Sequence, residues 1–498
     1  MSTLNEVAPA EAVEVQHQTE RRTPPTQRQL WTWRIVLAAV VVGSAASMWT
    51  GASSEGIGTA AIVMMLGLLA LKIPVAVATA VPGLLGLWAM VGVRAVEGTL
   101  QRTPFDTAAS WSLTVIPMFV LMGVLLFHSG ITGHLYGAAK HWVGWLPGGL
   151  AGGTTVAGAG FASLSGSTLG SVFPLTRAGM PEMLRAGYDR RMAIMSVMAA
   201  GTLAHLIPPS LLMVIYSGVA QTSVGPQLMA GLVPGLLLTL LFVATFTVVS
   251  ILRPAFGGRS ERQRSSWSER WSSLVPIWPA PVLLAVVVGG LYGGWFTATE
   301  AGAVGALGAL VIAVAMRRKE KPLSAVAESV SSTVATVGAL FFLMIGAHMF
   351  SRLLSLSGLA DGFVEMVIKF ELGRVEFLVL VTIVYLVLGM FMESLVIMLL
   401  TVPVLLPLLA PLDISTIWFG VFVVILMELA MITPPVGVLS YVVHGILQDT
   451  KVNIGQRIPL STVLTAACWV IPVPLLLIAL MVAFPEIATW LPDRMAAP

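Results

Sequence analysis

Apolar runs of about 20 residues recur along almost the whole chain, separated by short polar or basic stretches. A run of this length matches a helix that crosses a hydrocarbon core of roughly 30 Å. The pattern predicts spans over residues 33–50, 57–71, 74–92, 111–129, 192–221, 227–251, 274–292, 298–316, 331–354, 376–410, 416–446 and 461–485. Three of these, at 192–221, 376–410 and 416–446, are interrupted by polar or proline-containing segments and do not resemble simple crossings.

The composition points to the same class of protein. Of the 498 residues, 57% are apolar and only 10% are charged, and the mean hydropathy is +0.90. Soluble domains carry about a quarter charged residues, so we expect an all-α polytopic membrane protein, with no enzyme activity and no nucleic-acid partner. The single cysteine, Cys468, excludes a disulfide framework within the chain and argues against thiolate metal ligation.

Basic residues in the loops set the expected orientation. Arginines before the first span place the N-terminus in the cytoplasm, behind a tail predicted to be disordered over residues 1–30. Further basic clusters at 177–191, 253–270 and 317–321 must lie on the same side. Residues 150 to about 178 therefore begin and end in the cytoplasm, which predicts a re-entrant hairpin whose tip is satisfied by protein, water or an ion.

The tip of that hairpin is rich in hydroxyl groups. The stretch GFASLSGSTLGSVFP, residues 160–174, contains Ser165, Gly166, Ser167 and Thr168 at its centre. Such hydroxyls commonly bond to carbonyls of their own helix, which is one interpretation. The alternative is that hydroxyl and freed carbonyl oxygens bind a hard cation such as sodium. The repeat described next favours that alternative for Ser165 or Thr168.

The hairpin and the span after it have a counterpart in the C-terminal half. GMFMES (389–394) interrupts 376–410, and proline pairs interrupt both following spans, at LIPPS (206–210) and ITPPVG (432–437). The separation is 42 residues from Gly166 to Pro208 and 41 residues from Glu393 to Pro434. The second hairpin enters from the opposite side, so the repeats are inverted, and paired broken helices indicate a transporter site. The candidate residues here are Pro208, Pro209, Ser210, Gly389, Glu393, Ser394, Thr433, Pro434, Pro435, Val436 and Gly437.

Other ionisable residues in the apolar runs have local interpretations. Glu428 is equally consistent with a ligand and with a structural brace. The sequence TATE predicts a capping box that involves Glu300, and Asp189 and Asp413 are expected to be N-caps of the helices that follow them. His205 and His348 are read as core histidines, because no His, Asp and Glu set has metal-ligand spacing.

Eight motifs together resemble a known family of transporters. They are IPMFVLMGVLLFHSGI (116–131), LPGGLAGGTTVAGAGFASLSGST (146–168), RAGYDRR (185–191), GTLAHLIPPS (201–210), YGGWFTATEAGAVGAL (292–307), FSRLLSLSGL (350–359), GMFMES (389–394) and MELAMITPPVGV (427–438). In this order, over about residues 56–490, the chain resembles the large membrane (M) subunit, DctM-like, of tripartite ATP-independent periplasmic (TRAP) transporters.

The resemblance implies a fold and a mechanism. It implies inverted repeats of the ion transporter superfamily type and a sodium-driven elevator in the bacterial inner membrane that takes up an organic acid. It also implies two protein partners, a periplasmic substrate-binding protein (P, DctP-like) and a small four-helix membrane subunit (Q, DctQ-like). The resemblance implies sodium as the coupling ion and no cofactor. Carried over by position, sodium would lie at Ser165, Thr168, Gly389, Thr433 and Gly437.

Three features depart from the family pattern. Glu393 stands where aspartate is frequent, His205 where a small or apolar residue is expected, and the helix at 33–50 is additional. The alternative within transport is a single-component sodium and organic anion symporter that needs no binding protein. An intramembrane serine protease based on SLSG (163–166) is disfavoured because the inverted repeat would have no role in it.

These expectations divide the chain into seven parts. They are the tail (1–30), an additional transmembrane helix (31–55), scaffold helices with an amphipathic arm (56–145), the first transport repeat (146–225), further scaffold helices (226–330), the second transport repeat (331–450) and a C-terminal transmembrane helix (451–498).

Overall fold

The computed structural model describes residues 27–166, 168–258, 265–318, 322–359, 362, 365, 369–390, 392, 394–435 and 437–496. Within these ranges every regular element is a helix, which confirms the all-α prediction. Outside the two repeats, the longer helices are Gln27–Ser47, Ser54–Ala70, Val75–Val91, Val93–Ala108, Val115–His128, Ile131–Val143, Val224–Leu252, Trp267–Leu274, Pro279–Tyr292, Ala298–Met316, Pro322–Ser357, Leu460–Val470, Pro472–Ala483 and Glu486–Ala496.

Both predicted repeats are present as a hairpin followed by a broken helix. Hairpin 1 consists of Gly149–Ser165 and Thr168–Arg185, and broken helix 1 of Arg190–Thr202 and Leu211–Ala220. Hairpin 2 consists of Arg374–Gly389 and Ser394–Leu409, and broken helix 2 of Thr416–Ile432 and Val438–Ile446. Both helix breaks fall at the proline pairs, as expected from the missing amide donor and the steric clash of proline.

The two repeats pack across each other. The second arm of hairpin 1 contacts Val438–Ile446 of broken helix 2, and the second arm of hairpin 2 contacts Leu211–Ala220 of broken helix 1. Each hairpin also packs on the broken helix of its own repeat. The helix Val224–Leu252 contacts both hairpin 1 and broken helix 2. The tips and the breaks are thereby brought to one region.

Two helices beside this region form part of a tightly packed scaffold. One of them is Pro322–Ser357, which the sequence divided between the scaffold and the second transport repeat at residue 331; we group the whole helix with the scaffold because it packs mainly on Val75–Val91 and Val115–His128. Val115–His128 packs against Ala298–Met316 and against Pro322–Ser357, which also packs along Val75–Val91. Small residues permit the close approach in the last pair. A Cβ atom at Gly346 would lie 2.3 Å from the Ala76 carbonyl oxygen, and one at Gly83 would lie 2.9 Å from Phe350 Cα. Such small-residue contacts are typical of helix packing in membranes.

Helix length and hydropathy agree with a membrane protein. Four described segments are long and apolar enough to cross a bilayer, namely Val224–Leu252, Ala298–Met316, Pro322–Ser357 and Leu460–Ala483. The number rises to six if two bent pairs are each counted as one span. In one of these pairs, Gly133–Val143 is bent by 78° from Val115–His128. The change of direction coincides with the amphipathic arm expected around residues 134–141.

Two of the three capping predictions are confirmed. Asp189 accepts a hydrogen bond from Arg191 N at 2.8 Å at the start of broken helix 1. Glu300 forms the expected capping box with Thr297, whose amide donates to Glu300 Oε2 at 2.8 Å. These contacts satisfy amides that have no partner within the first helical turn.

The prediction for Asp413 was wrong. The helix Thr416–Ile432 is capped by Ser415, which accepts a hydrogen bond from Trp418 N at 3.4 Å. Asp413 lies two residues earlier with φ of 51°, in the left-handed conformation that Asp and Asn tolerate better than most residues. The helix Val93–Ala108 was not predicted either, because its polar residues and Pro104 interrupt the apolar pattern.

Candidate functional site

The tip of hairpin 1 packs directly against the break in broken helix 1. Gly166 ends the first arm with φ of 55°, and its amide donates to Ala162 O at 3.0 Å. A Cβ atom at Gly166 would lie 3.2 Å from Pro209 O. Glycine therefore serves both the left-handed turn and the close approach to the break. The Ser163 hydroxyl donates to Gly160 O at 2.8 Å, a bond to a carbonyl of its own helix of the kind considered above for this stretch.

The break in broken helix 1 is fully inside the protein. Pro208, Pro209 and Ser210 are buried. The Ser210 hydroxyl donates to His205 O at 2.5 Å and accepts from Met213 N at 3.3 Å. Ser210 is thus the N-cap of Leu211–Ala220, and it satisfies groups on both sides of the break. The first residue of the second half-helix, Leu211, lies in the wall of the cavity described below, so the positive end of that half-helix is close to the cavity.

Hairpin 2 contributes a buried hydroxyl to the same region. Ser394, the first residue of its second arm, is 5% exposed. Among the described residues, no hydrogen-bond partner is found for its Oγ atom. Gly389 ends the first arm and packs on Ala430 of broken helix 2. A buried hydroxyl without a partner is costly unless a ligand or water satisfies it, which makes Ser394 consistent with a binding position.

The break in broken helix 2 is held by short-range contacts. The Thr433 hydroxyl donates to Leu429 O at 2.7 Å, and Gly437 N donates to Thr433 O at 3.1 Å. A Cβ atom at Gly437 would lie 2.9 Å from Thr433 O and from the Ile432 carbonyl, so no larger residue fits without a shift. Since the Thr433 hydroxyl uses its hydrogen internally, its lone pairs can accept from a donor or contact a cation.

Three polar residues from three different elements meet at the centre of the site. The Thr168 hydroxyl of hairpin 1 donates to the carboxylate of Glu428, at 3.0 Å and 3.1 Å from its two oxygens. His205 Nδ1 of broken helix 1 contacts Glu428 Oε1 and lies 3.1 Å from Thr168 Oγ1. The side chain of Glu428 is 1% exposed and that of His205 is 13% exposed. A carboxylate this deeply buried needs such partners to offset the loss of water.

A cavity of about 440 Å³ lies beside this cluster, at the junction between the repeats and the scaffold. Gly166 and Thr168 of hairpin 1 contribute to its wall. The other elements of the repeats contribute His205 and Leu211, Ser394, and Met431. The opposite wall is formed by Val120, Val124 and Phe127 of Val115–His128 and by Thr336 and Leu340 of Pro322–Ser357. Its size suits a small organic molecule.

The structure brings three of the described predicted site residues, Gly166, Thr168 and Ser394, into the wall of this cavity. Gly166 and Thr168, Ser394, and the residues around both proline pairs lie at the tips and breaks of the repeats. Ser167, Glu393 and Val436 lie outside the described residues, as does the side chain of Ser165. The sequence did not indicate that His205 and Glu428 meet, since they are 223 residues apart and in different repeats.

Comparisons with known proteins agree with this architecture. Residues 62–487 match the family described as "Tripartite ATP-independent periplasmic transporter, DctM component". The chain belongs to this family. It is a TRAP large permease and therefore a membrane transport protein, as the motifs suggested.

Two curated relatives show how far the similarity of this TRAP permease extends. It is 29% identical over 460 residues to the C4-dicarboxylate TRAP transporter large permease protein DctM of Vibrio cholerae, covering 88% of this chain and 97% of that protein. It is 30% identical to the isethionate TRAP transporter permease protein DctMQ of Oleidesulfovibrio alaskensis, covering 79% of this chain and 59% of that protein. The two names specify different anionic substrates.

A solved structure is similar to this TRAP permease in fold only. The YdaH transporter of Alcanivorax borkumensis, whose crystal structure is titled as revealing an unusual topology, superposes with a TM-score of 0.58. The match covers 80% of this chain and 91% of that chain, at 16% sequence identity. At this identity the likeness concerns the arrangement of helices and carries no substrate across.

Proposed function

We propose that this TRAP permease takes up an organic acid by a sodium-driven elevator mechanism. One observation carries the proposal. Both hairpin tips and both broken helices contribute to one cavity, and the opposite wall belongs to two scaffold helices. In an elevator, the repeats would move as a unit along such a scaffold and would carry the cavity contents from one side to the other.

The chemistry of the cavity suits an anionic substrate. The N-terminus of Leu211–Ala220 reaches the cavity through Leu211, and unpaired amides at a helix N-terminus attract anions. The V. cholerae and O. alaskensis relatives are named for a dicarboxylate and for isethionate, respectively. An acid group is common to both substrates. We therefore propose a small organic acid, such as a dicarboxylate or a sugar acid.

Sodium is proposed as the coupling ion. The Thr168 and Thr433 hydroxyls both donate their hydrogens to internal acceptors, so each oxygen can present lone pairs to a hard cation. Main-chain carbonyls near Gly166, Gly389 and Gly437 lie where the helices are interrupted, and they would supply further oxygens. Each positive charge that moves inward gains about 2.3 kcal/mol per 100 mV. Two or more sodium ions with one dianion could therefore drive accumulation.

The remaining parts of the transporter are inferred from the family. We propose that a separate small membrane subunit joins this chain, and that a periplasmic binding protein delivers the substrate. The relative named DctMQ supports the association with a small subunit, because its name joins the two components in one permease protein. The chain is proposed to lie in the bacterial inner membrane with its N-terminus in the cytoplasm, as the basic loops indicate.

Uptake by proteoliposomes tests this function. The chain would be reconstituted with the small subunit and the binding protein encoded beside it, and labelled succinate, isethionate and sialic acid would be offered under an imposed sodium gradient. Uptake that requires both sodium and the binding protein is expected. Uptake with sodium but without the binding protein would replace the tripartite proposal by a single-component symporter. Uptake unaffected by exchanging sodium for potassium would overturn sodium coupling.

A further inference from the structure

We propose that His205 binds an acid-group oxygen of the transported substrate through Nε2, and that Glu428 and Thr168 position the ring for this contact. The inference rests on the transport function proposed above and identifies a residue that would recognise the substrate. It starts from the cluster of His205, Glu428 and Thr168 and from the place of that cluster in the cavity wall.

The imidazole ring is held from one side only. Nδ1 contacts Glu428 Oε1 and lies 3.1 Å from Thr168 Oγ1, so these contacts fix one edge of the ring. Thr168 belongs to hairpin 1 and Glu428 to broken helix 2, whereas His205 belongs to broken helix 1. A ring tied to two other elements has little rotational freedom. Its position relative to the cavity is therefore set before a ligand arrives.

The other ring nitrogen remains available. Within the described part of the chain, the polar contacts found for the His205 side chain all involve Nδ1. The ring forms part of the cavity wall and its side chain is 13% exposed. Most of the neighbouring wall is apolar, as at Val120, Phe127 and Leu211. Among the described lining residues, His205 is the one ionisable side chain, so Nε2 is well suited to fix the orientation of a polar ligand.

The hydrogen-bond geometry of the cluster explains why an acid group is favoured. Nδ1 is engaged by Glu428 Oε1, so Nε2 is the ring nitrogen left to contact a ligand in the cavity. An N–H donor at the edge of an apolar cavity forms its strongest hydrogen bond with an anionic oxygen. Glu428 itself is 1% exposed and does not line the cavity, so it would not face and repel the anion at contact distance.

Two substitutions at His205 separate a binding role from a packing role. His205→Phe keeps a planar ring and removes both nitrogens, whereas His205→Gln keeps an amide that can donate. His134→Phe is the matched control, since His134 is exposed on the helix Ile131–Val143 and lies outside the site. Each purified variant would first be compared with the parent by its apparent melting temperature. Kinetics would then be measured in proteoliposomes with the probe acid that the parent transports best.

The decisive readout is the preference for the acid over its amide. Competition of labelled acid uptake by the unlabelled acid and by its neutral amide gives this preference for each protein. Because a hydrogen bond to a charged group is lost, His205→Phe is expected to raise KM for the acid about 10-fold or more, with a much smaller effect on inhibition by the amide. His205→Gln is expected to recover part of the preference, and His134→Phe to behave as the parent.

Different failures point to different errors. No uptake by the parent under any gradient would refute the transport function itself. A parent that transports, together with a His205→Phe variant of unchanged KM, would refute the contact between His205 and the substrate. The contact would equally be refuted if the variant weakened inhibition by the acid and inhibition by the amide to the same degree, because that result indicates a change in cavity shape. If His205→Phe does not fold, His205→Met, which also removes both ring nitrogens, takes its place, and an unchanged KM with an acid preference equal to that of the parent would overturn the proposal.

Discussion

Gly389 allows hairpin 2 to approach broken helix 2 more closely than any other residue would permit. A Cβ atom at Gly389 would lie 1.9 Å from Ala430 Cβ and 3.0 Å from Ala430 Cα. Carbon atoms in contact are normally about 3.5–4.0 Å apart, so Gly389→Ala requires a local separation of roughly 1.5–2 Å. Overpacking typically costs about 1–3 kcal/mol, and we expect the upper part of that range because Ala430 is fully buried.

A second substitution on the facing helix tests whether this contact is the cause. Gly389→Ala combined with Ala430→Gly removes the 1.9 Å overlap and leaves the 3.0 Å approach to Cα, so most of the stability should return. The recovery is reduced by about 1 kcal/mol for glycine inside a helix. Gly158 of hairpin 1 provides the contrast, since its added Cβ would lie 2.3 Å from Ala200 Cβ and 2.6 Å from Ala200 Cα, and the overlap with Cα remains after Ala200→Gly. Ala200→Gly therefore cannot rescue Gly158→Ala.

The apparent melting temperature of the detergent-purified protein is the appropriate assay, with Gly137→Ala as the control. A Cβ atom at Gly137 meets nothing within 4 Å, and alanine should stabilise its helix by about 0.5–1 kcal/mol. We expect the melting temperature of Gly137→Ala to be at or above that of the parent. The melting temperature of the Gly389→Ala, Ala430→Gly double variant should be lower, and that of Gly389→Ala should be the lowest. Equal melting temperatures for Gly389→Ala and Gly137→Ala, or a rescue of Gly158→Ala by Ala200→Gly, would refute the packing argument.

Three further predictions concern caps, hairpin 2 and sodium. Asp189→Ala removes an N-cap and should reduce stability by about 1 kcal/mol in a melting experiment. Asp413→Asn should change stability by less than about 0.5 kcal/mol, because Ser415 is the cap there. Equal losses of stability in the two variants would contradict the cap assignment. Tyr385→Phe removes a buried contact with Thr401 and should cost about 1 kcal/mol, and no loss of melting temperature would show that the contact contributes nothing. Thr433→Val should raise the sodium concentration needed for half-maximal uptake, and an unchanged sodium dependence would remove Thr433 from the ion site.

The repeat architecture was predictable because it depends on local patterns. The proline pairs interrupt both broken helices, and the glycine-containing tips interrupt both hairpins, as each residue's backbone preference requires. The capping box at Glu300 was predictable for the same reason, since its partners are three residues apart. The local pattern gave the wrong N-cap at Asp413, because Ser415 and Thr416 follow within three residues and can also cap a helix. In the structure, Ser415 caps Thr416–Ile432.

The centre of the site was not predictable from local patterns. Thr168 and Glu428 are 260 residues apart, and their contact exists only because hairpin 1 packs against broken helix 2. The sequence indicated that Glu428 lies in an apolar run and left open whether it is a ligand or a brace. In the structure its carboxylate contacts Thr168 of hairpin 1 and His205 of broken helix 1.

The cross-packing of the repeats also bears on how they could move. If hairpin 1 shifted relative to broken helix 2, the contact of Thr168 with the buried Glu428 would be lost and a carboxylate would remain without that donor. The same argument applies to His205 of broken helix 1. Relative motion inside the repeats is therefore penalised. The described part of the cavity wall on Val115–His128 and Pro322–Ser357 is mainly apolar, as at Val120, Phe127 and Leu340, so sliding along it would break fewer polar contacts, as the proposed elevator requires.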